Sequence, residues 1–332
     1  MLFMVTNRRI RNGRYDDEEK ANFGYEYQFA YDGGPRRQDG FAKRGKKGFK
    51  TALLNELNRL RRAGTNTPKV GIYLHGYNND YHDGIDEIVD LEKSLGKELG
   101  YNPVIVGFSW PSTGRTVNYL SDREEVRDSV GAFTRFLIDI NDFVGENARD
   151  CFSTTYCIAH SMGNYLLRKG MEYLSDELGT PIGRLLFAET IMLAPDLASH
   201  DIDLDGKGQY IADFSRRVHV YYSKHDRALK ASSAKRFGAD RLGRHGAADY
   251  SSLADNVVVV NAEKYANAAA TAGLTDRSGA QVSVHSSQRY HPNILNDVVQ
   301  VMASIDRDQI SGRQPVQAGQ DEVFLHNHYA LK

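Results

Sequence analysis

A serine hydroxyl becomes a nucleophile when it is lifted into a site beside a base and beside donors that can hold an oxyanion. The segment Tyr156-Cys157-Ile158-Ala159-His160-Ser161-Met162-Gly163-Asn164-Tyr165-Leu166-Leu167 offers such a serine. Its apolar start predicts a strand, a sharp turn follows, and the residues after Gly163 read as a helix. A serine raised on a strand-to-helix turn needs small residues two before and two after it, and Ala159 and Gly163 meet that need. The pattern departs from GxSxG only in carrying Ala159 at the first glycine. The helix start beneath Ser161 also brings backbone N–H groups and partial positive charge to where an oxyanion would develop. A turn of this composition can instead serve only to pack a helix on a sheet.

An oxyanion requires two backbone donors, one after the nucleophile and one from an earlier strand end. The run Val70-Gly71-Ile72-Tyr73-Leu74-His75-Gly76-Tyr77 is a strand ending in His-Gly, so the N–H groups of Met162 and Tyr77 are the candidate pair. His75 precedes the nucleophile and reads as a structural histidine of that loop. A triad built around a nucleophile of this kind runs serine, acid, histidine in chain order. For the acid, Asp226 follows the strand Val218-His219-Val220-Tyr221-Tyr222 closely and is preferred; Asp196, after the preceding strand, is the alternative. For the base, His285 lies before the last helix and is preferred, with His291 as the alternative; His291 precedes Pro292 and suits a helix cap equally well. Asp201-Ile202-Asp203-Leu204-Asp205-Gly206 imitates the start of a calcium loop, but Ala212 stands where the bidentate glutamate belongs, so no metal is expected.

Elements that could position these groups follow from the alternation of short β-branched runs with longer helical periodicity. Strands are predicted at 2–6, 25–31, 70–75, 104–109, 154–160, 184–193, 217–223 and 256–261, and helices at 47–62, 83–99, 122–143, 163–177, 228–237 and 292–305. The pattern is that of an α/β protein with a mostly parallel eight-stranded sheet and helices on both faces, its first two strands forming an antiparallel start. One domain over 1–310 is expected. The stretches 196–216 and 262–284 are long enough for cap or pocket-edge elements, and 311–332 reads as a polar tail laid loosely over the surface.

Composition narrows the class. A formal charge of −1 excludes a chain built to hold nucleic acid through its overall field. The basic stretch Arg36, Arg37, Lys43, Arg44, Lys46, Lys47 and Lys50 matches no phosphate loop and reads as a solvated lead into a helix. No run approaches the ~18 apolar residues of a membrane span, and the opening turns polar too early for a signal peptide. Cys151 and Cys157 suit neither a disulfide nor a zinc site, and a reducing cytoplasm is the expected location.

Thr6-Asn7-Arg8, His75-Gly76-Tyr77-Asn78, Phe108-Ser109-Trp110-Pro111-Ser112, the His160-Ser161-Met162-Gly163 elbow and Tyr222-Ser223 before Asp226 stand together in this chain. With them the chain resembles the α/β-hydrolase superfamily, in the uncharacterised bacterial branch catalogued as domain of unknown function nine hundred, over about residues 1–305. The resemblance implies an α/β-hydrolase fold and an esterase- or lipase-like serine hydrolase without a cofactor, acting on a small-molecule ester or lipid. Amide or peptide hydrolysis and acyl transfer would use the same groups, and a non-catalytic binding module is the reading from another class. Trp110 is a candidate wall of the substrate pocket, and Tyr77 and Tyr119 are further candidates. Trp110 could equally complete the core beneath its loop. Oligomeric state is not legible.

Overall fold

The computed structural model describes residues 1–12, 14–20, 26–30, 41–43, 45–65, 68–112, 119–147, 155–178, 185–235, 238–318 and 323–332. Cys151 and the basic residues Arg36, Arg37 and Arg44 lie outside them.

The chain opens with β1 (Leu2–Thr6); a separate small hairpin, β2 (Arg8–Arg11) with β3 (Arg14–Lys20), follows. Next, β4 (Glu26–Ala30) pairs antiparallel with β1, and β5 (Phe41–Lys43) lies outside β4. From α1 (Gly45–Arg62) the alternation is regular: β6 (Val70–Leu74), α2 (Tyr81–Leu99), β7 (Val104–Ser109), α3 (Tyr119–Glu146), β8 (Thr155–His160), α4 (Gly163–Leu178) and β9 (Phe187–Leu193). The second half holds α5 (Gln209–Asp213), β10 (Ser215–Tyr222), α6 (Arg227–Lys235), α7 (Leu242–His245) and β11 (Val257–Asn261). It closes with α8 (Ala268–Thr271), α9 (Pro292–Met302), β12 (Arg313–Ala318) and β13 (Val323–Leu331). Lys46, Lys47 and Lys50 fall in the first turns of α1, where Lys46 pairs with Asp139 of α3, as a lead into a helix requires.

Central strands such as β6, β7 and β8 are buried along their whole length. Unbroken apolar runs are what parallel strands need when helices cover both faces. One face packs Phe49 and Leu53 of α1, Phe133 of α3 and Leu166 of α4. The other packs Ile85 and Ile88 of α2 against Ile294 and Val298 of α9. Alternate residues of β6 divide between the two layers, Ile72 and Leu74 to the first and Tyr73 to the second. Burying each such side chain contributes about 1.5–3 kcal/mol.

The sheet runs β12-β13-β11-β10-β9-β8-β6-β7-β1-β4-β5, and its strands from β13 to β1 are mutually parallel. This is the α/β-hydrolase fold expected, mostly parallel with helices on both faces. Among the described residues the sheet has eleven strands rather than eight, of which eight are parallel. The strand predicted at 25–31 lies on the antiparallel side as expected, and the eighth parallel strand is β13. The loose tail expected at 311–332 is therefore also corrected. β12 and β13 pair with each other, and β13 pairs with β11 through Val259↔His328 and Val260↔Tyr329. Their polar residues misled because backbone pairing needs no apolar sequence, and polar Arg313 and His328 are buried there beside Tyr329 and Leu331.

Chain order reverses at β6, which has β7 on one side and β8 on the other. The crevice beyond the carboxyl ends of strands at such a reversal is where open α/β sheets hold ligands. There β6 ends at His75-Gly76 and β8 at His160-Ser161, with Leu74 paired to Ala159.

Candidate active site

Ser161 has φ +52°, a left-handed backbone that side-chain-bearing residues rarely adopt. Such strain persists only where neighbours fix it. Ser161 N–H donates to Leu193 O at 3.0 Å, and its carbonyl accepts from Asp196 N–H and Asn164 N–H, each at 3.1 Å. The fully buried Asn164 adds Nδ2 bonds to Ala159 O at 3.0 Å and Ser161 O at 3.2 Å, bracing the turn from inside.

Gly163 is required for a separate reason. A Cβ at this position would stand 2.4 Å from Leu74 O and 2.7 Å from His75 O, inside the backbone of β6. Gly163→Ala is thus expected to push α4 off the sheet and cost about 1–3 kcal/mol, the range for overpacking. A thermal melt reads this. An unchanged midpoint would contradict the close approach.

His285 Nδ1 donates to Asp226 Oδ2 at 2.6 Å. The carboxylate is almost fully buried, and its other oxygen accepts from Leu229 N–H at 2.9 Å at the start of α6. Burial disfavours the charged form of His285. The charge and hydrogen bond of Asp226, with a further contribution from Asp196, outweigh it and hold the imidazole above its ordinary pKa.

Asp196 is engaged elsewhere. It accepts from Tyr119 Oη at 2.8 Å and Ser232 Oγ at 2.7 Å, with the Arg241 guanidinium 3.7 Å away. His291 caps α9, its Nδ1 accepting from Asn293 N–H at 3.3 Å, and its ring lies 4.8 Å from that of Tyr265. The structure brings His285 to Asp226, and leaves Asp196 and His291 in other contacts.

Met162 follows Ser161 directly, and Tyr77 follows Gly76, where a Cβ would stand 3.1 Å from Ser161 Cβ. Among the described residues no backbone carbonyl accepts the Met162 N–H. The half-buried Tyr77 ring meets Tyr119 edge-on at 5.5 Å. Tyr119 itself is buried. Trp110 must be withdrawn as a pocket wall, because its side chain has no exposed surface. Its indole stacks on His75 at 4.9 Å and donates Nε1–H to His75 O at 3.1 Å, while its own N–H donates to His75 Nε2 at 3.2 Å. His75, with burial pushing its pKa down to about 4, is the structural histidine expected. Together the two rings hold the turn carrying Gly76 and Tyr77.

Asp201 already bonds Arg168 at 3.3 Å and the Ala198 N–H at 3.1 Å. Among the described residues no cluster of three or more metal-ligating side chains occurs, and no helix is long and apolar enough to cross a membrane. Cys157 is a free, buried thiol in β8 whose pKa burial raises.

Three contributors escaped the sequence reading: Asn164, Gln288 and His160. Gln288 is buried and its Oε1 accepts the Ala194 N–H at 2.7 Å, tying the segment after His285 to the turn after β9. His160 is buried beside the serine, its ring 4.8 Å from that of His285. The helical spacing after Gly163 does put Asn164 at the elbow, but nothing local marks the other two.

The family described as "Alpha/beta hydrolase of unknown function (DUF900)" matches residues 50–277. "Uncharacterized protein alr1448" of Nostoc sp. is 32% identical over 174 residues, 44% of this chain and 43% of that protein. Among solved structures, Aspergillus fumigatus lipase B is similar over 75% of this chain and 58% of its own, at 14% identity and a TM-score of 0.43. Phospholipase PlaB from Legionella pneumophila is similar over 67% of this chain and 46% of its own, at 17% identity and a TM-score of 0.28. The chain thus spans less than half of the Nostoc protein and under two thirds of the lipase chain. With the family's pattern running from α1 through the turn after α8, across most of the strands that carry the candidate site, the chain belongs to the α/β-hydrolase family of unknown function DUF900.

Proposed function

We propose that this protein is a serine hydrolase that cleaves carboxylic esters, esterase- or lipase-like, through an acyl-enzyme on Ser161. The observation that carries this reading is the 2.6 Å bond joining Asp226 to His285, residues 59 apart in sequence, with the His285 ring 4.8 Å from that of His160, whose neighbour in the chain is Ser161 in left-handed backbone. Asp226 fixes the tautomer with the proton on Nδ1, so Nε2 is left as the base. Among the described residues Ser161 Oγ has no hydrogen-bond partner, and sites without substrate often leave this bond unmade.

In the proposed reaction Ser161 Oγ attacks the ester carbonyl as His285 Nε2 takes its proton. The oxyanion of the tetrahedral intermediate accepts from the N–H groups of Met162 and Tyr77. Collapse breaks the bond to the alcohol oxygen, which leaves with the proton from His285. A water, deprotonated by His285, then attacks the acyl-enzyme and releases the acid. The substrate is a small-molecule ester or lipid, with Tyr77 in the pocket wall and the segments 196–216 and 262–284 at its edge.

Wild-type protein offered ester, thioester and anilide substrates with one common acyl group should turn over the ester fastest and be labelled by a fluorophosphonate. A preference for the anilide would move the reading to an amidase, and product formed only with an added alcohol would move it to an acyltransferase. Absence of both turnover and labelling would leave a binding module.

His285 must be neutral to accept the serine proton. Its raised pKa therefore places the rising limb of kcat/KM above the ordinary histidine value near 6.5, with activity lost as pH falls through it. In Asp226→Asn the inflection should move down, since the charge that stabilises the imidazolium is gone. An inflection that stays in place would detach the pH dependence from this pair.

A further inference from the structure

We propose that His160 is the positioning residue that seats the catalytic base, by donating its Nε2–H to the backbone carbonyl of His285. The inference rests on the Ser161, His285 and Asp226 reading above.

The reaction leaves His160 unused, yet the side chain is buried between the two segments that must meet. Its Nε2 lies 3.2 Å from His285 O. A carbonyl can only accept, so Nε2 carries the proton and Nδ1 is bare. That bare nitrogen is buried and, among the described residues, has no hydrogen-bond partner. Gly76 closes over it: a Cβ there would stand 3.0 Å from His160 Nδ1 and 3.1 Å from Ser161 Cβ. A buried acceptor without a partner is a standing desolvation penalty that phenylalanine or methionine would not carry. What histidine supplies in return is one donor aimed at one carbonyl.

That carbonyl belongs to the base itself. The following residues are tied down elsewhere, Gln288 to Ala194 N–H at 2.7 Å and Arg289 to Glu87 at 2.8 Å. Among the described residues, the bond from His160 is the hydrogen bond formed by the backbone of His285. His160 is adjacent in sequence to Ser161, so this single contact joins the nucleophile's own turn to the base. Burial, together with the nearby Arg289 and His285, keeps His160 uncharged. It therefore neither competes as a base nor places a second cation against the imidazolium.

The test compares full-length wild type, His160→Phe and His160→Gln, because a glutamine amide N–H reaches the place of Nε2–H. His160→Phe should lose kcat on the order of 10²-fold, the cost of misplacing a reacting group by about 1 Å, with KM little changed. His160→Gln should recover most of it. If the phenylalanine variant fails to fold, His160→Met serves as the donorless variant.

A second readout does not need turnover. The proton between His285 Nδ1 and Asp226 should give a far-downfield proton resonance in wild type and in Ser161→Ala. It should broaden in the donorless variant and return in His160→Gln. Equal loss of resonance and rate in the glutamine and donorless variants would reduce His160 to packing, and an unchanged resonance and kcat in the donorless variant would overturn the proposal. If wild type shows the resonance but hydrolyses nothing, the functional reading fails while the resonance still decides the role of His160. Its absence from wild type overturns both.

Discussion

Ser161→Ala is expected to reduce ester turnover by about 10⁶-fold, as loss of the nucleophile does where a triad acts as a unit. Fluorophosphonate labelling should disappear with it. The fold should survive, because the bonds bracing the turn run through backbone: Ser161 N–H to Leu193 O, and its carbonyl to the N–H groups of Asp196 and Asn164. Alanine also keeps the Cβ that already tolerates φ +52°, so the melting temperature should stay close to wild type. Undiminished labelling of the alanine variant would remove Ser161 as the nucleophile.

The second large effect separates the two aspartates. Asp226→Asn is expected to lower kcat by about 10⁴-fold, because the amide can present its N–H to the imidazole and select the wrong tautomer. Asp196→Asn should act on stability instead. Its carboxylate accepts from Tyr119 Oη and Ser232 Oγ in a buried setting with Arg241 close by, and an amide cannot satisfy both donors and balance that charge. Steady-state kinetics beside a thermal melt decides between them. A larger fall in kcat for Asp196→Asn than for Asp226→Asn would exchange their roles.

Ser161, His75, Gly76 and Asp226 were legible because each sits where a strand ends, whereas His285 was read from its place before the last helix. Ser161 follows the apolar run 155–160, His75 and Gly76 follow 70–74, and Asp226 follows 215–222; periodicity and small residues mark those ends in the sequence alone. The choice between Asp226 and Asp196 was not settled there, since both follow strands. It depends on which carboxylate the return of the chain after β11 brings to the imidazole, and that is a property of strand order rather than local pattern. Trp110 misled for a related reason: a tryptophan just past a strand end suits either a pocket wall or a packed core, and only its stacking on His75 shows the latter. His160 left no signal because its partner is a backbone carbonyl, which every residue possesses.

β13 gives the sheet a different kind of consequence. β11 is flanked by β10, which precedes it in the chain, and by β13, whose residues come more than sixty positions later. During synthesis the β11 edge therefore stays open until residues 323–331 have left the ribosome. A nascent protein stalled or shortened before that point would present Val257-Val258-Val259-Val260 as an unpaired edge, a sequence well suited to recruiting strands from other chains. By pairing with β11, the hairpin of β12 and β13 thus also guards that edge against aggregation.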